Sequence, residues 1–151
     1  MANINYKNLP NTSTPLNATN LNAMQDTMEL NSSSGVYYFK FDSGILVCYA
    51  IVDKSNFMSS STASTTEQNV VWYRSNLATI NFPVEFVSTS YVVSITPTTG
   101  ISNTRIYIPR INSKAKDNVK VQLIGVEDFT SSGAGYTNLT SVDVIAIGRW
   151  K

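Results

Sequence analysis

The sequence predicts a mainly β protein, an antiparallel β-sandwich of jelly-roll type preceded by one short helix. Three observations lead there. Val and Ile together number 26 against 8 Leu, and β-branched side chains suit a pleated sheet and crowd a helix. About eight short apolar runs follow one another between turn residues, the spacing of sandwiches and barrels. No helical pattern lies between these runs, so the crossover helices of a parallel sheet are not expected. The 151 residues suit one domain. Residues 1–34 read as a lead with the helix, and 35–151 as the β-sandwich head.

Residues 1–15 are polar and contain Pro10 and Pro15. The helix is expected from Ala18 to Leu30. Asn17 stands at the N-cap, where its side-chain oxygen can accept a free first-turn N–H. Leu16 and Leu21 then have the spacing of a hydrophobic staple. Leu21, Met24 and Met28 make one narrow apolar stripe, opposite Asn20, Asn22, Gln25, Asp26 and Glu29. A helix this short is marginal alone in water. Its stripe must pack either on the body of its own chain or in a bundle of the same helix from two or three chains.

Beyond Asn31-Ser32-Ser33-Ser34-Gly35 the pattern turns to strands. Val36–Phe41 and Ile45–Val52 flank Asp42-Ser43-Gly44, a three-residue hairpin link with Gly44 in the left-handed position. Further strands are expected at Val70–Arg74, Ala78–Phe82, Tyr91–Thr96, Thr104–Ile108, Val119–Val126 and Val142–Trp150. Ser75-Asn76, Pro83, Pro97 with Gly100, Pro109 and the Ser131–Gly135 stretch separate them. Ser55–Asn69, rich in Ser and Thr, reads as an exposed mobile loop, because it offers little apolar surface to offset ordering. The last strand carries apolar residues on both faces. It should therefore be covered on both sides, with a second chain against the face bearing Ile145 and Ile147.

Several chemistries find no residues to perform them. The chain has no His, so imidazole is not there as base, proton shuttle or metal ligand. Its single Cys48 cannot form an internal disulfide, and no Cys-x-x-Cys exists for zinc. No Gly-x-Ser-x-Gly elbow occurs, and a Ser triad would lack its base. Gly133-Ala134-Gly135 lacks the lysine and helix of a phosphate loop. The carboxylates Asp42, Asp53, Glu127 and Asp128 read as turn residues. The expectation is a protein that is not an enzyme and needs no cofactor or metal.

A net charge of +1 without a basic run gives no footprint for nucleic acid. No apolar run approaches the ~20 residues that span a bilayer, and the N-terminal residues lack the apolar core of a signal peptide. A chain made in a reducing cytosol, without membrane insertion, is expected.

Charged residues are only 14% of the chain, while Ser, Thr and Asn supply 19, 16 and 16 residues. Against that polar background the aromatics stand out. Tyr37, Tyr38, Phe39, Phe41 and Tyr49 sit in strand runs and read as core. Phe57 and Tyr136 lie in polar stretches, and Trp72-Tyr73-Arg74 closes a strand. Aromatic rings among hydroxyl and amide side chains make adaptable contact surfaces, and sugar faces stack on such rings. Trp72, Tyr73, Arg74 and Tyr136 are therefore the candidate carbohydrate-binding residues.

Leu9-Pro10-Asn11-Thr12-Ser13-Thr14-Pro15-Leu16-Asn17-Ala18-Thr19-Asn20-Leu21-Asn22 resembles the opening of tail-associated structural proteins of phages and prophages of Gram-positive bacteria. Tyr38-Phe39-Lys40-Phe41-Asp42-Ser43-Gly44-Ile45-Leu46-Val47-Cys48-Tyr49-Ala50 is similar to a hairpin of the phage tail-fibre C-terminal head family. Ile80-Asn81-Phe82-Pro83-Val84-Glu85-Phe86 with Ser90-Tyr91-Val92-Val93, and Ile145-Ala146-Ile147-Gly148-Arg149-Trp150, resemble two further stretches of that family in the same order. Tyr49-Ala50 departs from its Trp-Gly, and Asp42-Ser43-Gly44 from its shorter Asp-Gly.

The resemblance implies a trimeric β-sandwich at the distal end of a tail fibre or baseplate. It implies a virion protein assembled in the bacterial cytoplasm, held to other tail or baseplate proteins through its N-terminal segment. The implied function is recognition of host cell-surface polysaccharide, and the alternative is a purely structural virion component of baseplate, neck or head fibre. Leu21, Met24, Met28, Ile145 and Ile147 are the residues expected at the interface between chains.

Overall fold

A computed structural model describes residues 28–33, 35–59, 64–67, 70–100 and 106–151, with the backbone alone at 28–33 and 67. Over the described residues the protein is mainly β, with two antiparallel sheets and one small helix. Sheet A contains β1 (Met28–Ser33), β2 (Val36–Phe41), β3 (Ile45–Asp53), β10 (Leu139–Arg149) and β7 (Val92–Thr99), in that spatial order. Sheet B runs β4 (Ser64–Glu67), β5 (Val70–Arg74), β9 (Asn118–Gly125), with β6 (Ala78–Asn81) following β5 along the same edge of β9. β8 (Tyr107–Lys114) pairs with the other edge of β9. A 3-10 turn occupies Lys54–Phe57, and α1 is the single turn Ala134–Thr137.

The strands form where alternation supplies one apolar face. β2 buries Val36 and Tyr38, β3 buries Leu46, Cys48 and Ala50, and β10 buries Val142, Val144 and Ala146. From sheet B come Ala78 and Ile80 of β6 and Val119, Val121 and Leu123 of β9. These residues of both sheets belong to one hydrophobic cluster. The β2–β3 hairpin forms as expected, with Gly44 at φ +92° and its N–H donating to the Phe41 carbonyl at 2.9 Å.

One end of the core is sealed by the connection from β6 to β7. Phe86 stacks on Tyr91 with ring centroids 4.3 Å apart, and Phe82 meets both edge-on at 5.1 and 5.5 Å. The Tyr91 hydroxyl reaches the Asn118 and Ala115 carbonyls at 2.8 and 2.9 Å, tying this connection to the β8–β9 turn.

Four expectations are corrected. Met28–Leu30 is strand, paired with Phe41–Phe39, and is not the end of a helix. A marginal helix turn loses there to a six-residue ladder against an aromatic strand. The rest of the expected helix, with Leu21 and Met24, lies outside the described residues. The lead and the head accordingly meet inside a hairpin, since β1 pairs with β2 across Gly35 at φ +78°.

The expected loop Ser55–Asn69 instead contains the 3-10 turn and β4. Asp53 caps the turn by accepting the Ser55 N–H at 2.8 Å, and Phe57 is fully buried. Pro109 does not end a strand, nor does Pro97, for β8 and β7 run through them. Among the described residues each of these strands pairs on one side, and on an edge a proline's missing N–H costs no ladder bond.

Candidate functional site

The outer face of sheet B carries a groove of about 380 Å³ lined by Thr65, Trp72, Arg74, Ile108, Arg110 and Ile124. Four strands build it. Thr65 on β4 pairs with Trp72 on β5. Arg74 pairs with Ile124 on β9, which pairs in turn with Ile108 on β8. Trp72 and Arg74 are two residues apart, as are Ile108 and Arg110, so the period of two sends each pair to one face. Ile108 and Ile124 form an apolar floor, and the indole of Trp72 stands at its side.

The polar groups are held in place. The Arg74 guanidinium donates through Nη2 to Thr65 Oγ1, which leaves further N–H donors of the fork directed elsewhere. Arg74 also lines a neighbouring, more polar groove of about 450 Å³ with Ser59, Ser64, Ser75, Asn76, Leu77 and Gln122. That second groove is rigidly floored: Ser75 Oγ accepts the Leu123 N–H at 2.9 Å and donates to the Asn76 carbonyl at 2.8 Å. Gln122 Nε2 donates to the Ser75 carbonyl at 2.8 Å. Arg74 thus lines both grooves.

Of the four candidate binding residues, Trp72 and Arg74 come together in this groove. Tyr73 points the other way, half-buried against the core, because it alternates with its neighbours along β5. Tyr136 is half-buried on α1, with Lys54 Nζ 5.0 Å from its ring centroid, and does not line the groove. Sequence reasoning missed Thr65, Ile108, Arg110 and Ile124. One signal was present: Trp72-Tyr73-Arg74 and Ile108-Pro109-Arg110 share the form large apolar, any residue, arginine.

Among the described residues no group of three or more Cys, Asp or Glu could hold a metal ion, and no helix is long and apolar enough to cross a membrane. A third groove of about 310 Å³, lined partly by Asp53, Asn56 and Asn81, has neither an aromatic ring nor a cation among its described lining residues. The Asp53 carboxyl is kept below its usual range by its hydrogen bonds with Ser55, side chain and backbone. That bond set is the cap of the 3-10 turn and explains the residue structurally.

The other notable surface is the outer face of sheet A. Phe39, Val47, Ile147 and Val92 fall in one row across β2, β3, β10 and β7, and Tyr37, Tyr49 and Ile145 in the next. Ile145 is 38% exposed, Ile147 46% and Val92 69%. Tyr37 and Tyr49 stack with centroids 6.5 Å apart, and the Tyr49 hydroxyl donates to Asp143 Oδ1 at 3.1 Å. Among the described residues the last strand is thus buried on its Val142–Val144–Ala146 face and partly open on the Ile145–Ile147 face. Met28, the remaining interface candidate within the described residues, sits in β1 opposite Phe41.

No known protein family, curated protein or solved structure matches the chain.

Proposed function

We propose that this chain is the head of a phage or prophage tail fibre or baseplate receptor-binding protein, and that it recognises host bacterial surface glycan through the outer face of sheet B. The observation that carries the reading is the Trp72 groove. It sets an indole and an isoleucine floor beside two guanidiniums and a threonine hydroxyl, the mixture that suits a ring with apolar faces and a polar rim. Its openness to solvent suits a weak, wet site, and weak sites suffice when several copies act together, with avidity gains of ~10²–10⁴.

The two sheets with their shared core then make the jelly-roll-like sandwich, and the copies are three in number. The apolar rows on the outer face of sheet A support such an assembly, since exposed contiguous apolar patches mark interaction sites. Attachment to other tail or baseplate proteins falls to the N-terminal segment, and the protein acts as a virion component without catalysis.

The test is adsorption of the purified protein to walls of a panel of Gram-positive cells. Wild-type protein should be retained by the walls of some strains. Trp72→Ala should lower that retention roughly tenfold or more, as loss of a stacking ring costs about 1–3 kcal/mol, with thermal unfolding unchanged. Retention by no strain, or an unaffected variant, would leave a structural virion component as the better account.

A further inference from the structure

We infer that the groove on sheet B is built for an anionic glycan, a sugar lying on Trp72 with its carboxylate or phosphate substituent held between Arg74 and Arg110. This inference rests on the glycan reading and narrows it. A neutral sugar asks for amide and hydroxyl partners, which this chain has in abundance, yet among the described residues the groove is lined by two arginines and a single hydroxyl, that of Thr65. Among the described residues neither guanidinium is spent on a carboxylate: Arg74 bonds Thr65, and Arg110 makes no hydrogen bond or ion pair.

Geometry allows both to serve one ligand. Arg74 and Arg110 flank β9 from opposite sides, in register with Ile124 and with Gln122. Two strand spacings and a two-residue offset put their backbones about 12 Å apart. Two arginine side chains are together long enough to span that gap above Ile124; in this structure Arg74 is turned toward Thr65 on β4, and an anion over Ile124 draws it across from there. Arg is suited to this task because its planar fork meets the two oxygens of a carboxylate or phosphate together. Lys120, exposed on the same face of β9 beyond Gln122, adds a third cation to the approach. Glu67, whose backbone ends β4 opposite Val70, stands two residues beyond Thr65.

Arg74 lines both the 380 Å³ groove and the 450 Å³ groove beside it. An anion seated on Arg74 is thereby flanked by an aromatic compartment on one side and by Ser59, Ser64 and Asn76 on the other. The arrangement fits an internal repeat of a polymer better than a chain end.

The experiment uses the full-length protein and the walls of a strain that retains it. One wall sample has its carboxyl groups reduced to alcohols, and another has its phosphodiesters cleaved with cold hydrofluoric acid. Loss of retention in the first identifies a carboxylate, and in the second a phosphate. In either case Arg110→Gln should lower retention by untreated walls roughly 10- to 100-fold, with Arg110→Lys falling between, and added salt should weaken wild-type binding.

Retention that survives both treatments, with Arg110→Gln binding as wild type while Trp72→Ala does not, overturns the anionic ligand and leaves the glycan reading standing. Retention that depends on the acid groups yet ignores Arg110→Gln also overturns it, since the anion then sits elsewhere. Failure of Trp72→Ala to reduce retention removes the glycan site itself.

Discussion

Folding holds on to the protons of Cys48 and Tyr91. Burial pushes the Cys48 thiol from 9.0 up to about 12, and burial, helped by the nearby Asp117 charge, pushes the Tyr91 hydroxyl from 10.0 up to about 12. A raised value in the folded state means the folded protein keeps a proton that the unfolded chain gives up. Stability from these groups is therefore whole below pH 9.0 and is lost as pH climbs from there toward about 12. Each group can contribute a slope of up to about 1.4 kcal/mol per pH unit in its own window. The urea midpoint should fall steadily from pH 9.0 upward, and in Cys48→Ala the fall should begin only near 10.0, where Tyr91 takes over. A midpoint that stays level through that range would contradict the burial of both groups. At this same scale the site was half legible. Trp72 and Arg74 stand out because an indole and a guanidinium are rare in a chain whose polar residues are mostly Ser, Thr and Asn. Tyr73 could not be told from them without the phase of β5, which decides which of three adjacent side chains faces inward. Arg110 was hidden because its partner in the groove lies across two strand pairings formed by residues far off in sequence.

Among the elements, β10 shows how one small residue fixes a packing arrangement. A Cβ added at Gly148 would come within 2.6 Å of Tyr91 Cβ and 2.8 Å of Phe86 Cδ1. The strand can thus press against the stacked pair only while that position is glycine. Gly148→Ala should cost about 1–3 kcal/mol, the usual penalty of overpacking a filled site, read as a lower urea midpoint with an unchanged slope. Unchanged stability would mean that the aromatic cluster is loosely seated. Gly133 and Gly135 have a similar origin, since a Cβ at either would collide with Asp128. The sequence pattern marks this stretch as a breaker, yet the cause is close approach of α1 to the Asp128 turn. Strand existence was readable from alternation and β-branching in β2, β3, β5, β6, β9 and β10. Strand ends were less so, because a proline stops a central strand but not an edge strand, and edge position is a property of the whole sheet. Phe57 was unreadable for a related reason: its burial depends on Asp53 capping a turn that returns it to the core.

At the scale of the whole molecule, edges and faces are treated differently. The outer strands β7 and β8 each contain a proline, Pro97 and Pro109, and proline on an edge discourages pairing with another chain. Sheet A by contrast leaves Ile145, Ile147, Val92 and Tyr37 open on its broad face. The outer strands β1 and β4 contain no proline, so it is the apolar face of sheet A that argues for contact between copies through faces. The proposed threefold assembly places the sheet A face inside and the sheet B groove outside, which keeps every groove free for a polymer on the cell surface. Changing Ile145 and Ile147 together to Asp puts two carboxylates per chain into that contact, where a charge removed from water without a partner costs several kcal/mol. Neither change touches the core of a single chain, because both side chains lie opposite Val144 and Ala146 on β10. Light scattering should give the mass of three chains for the wild type and of one chain for the double variant, with the same circular dichroism. The single-chain variant should still bind walls through Trp72, but with avidity reduced by ~10²-fold or more. A wild type that is already monomeric at micromolar concentration, or a double variant that remains trimeric, would place the contact elsewhere. In the first case the apolar rows of sheet A would be left facing water, against the expectation for a patch of that extent.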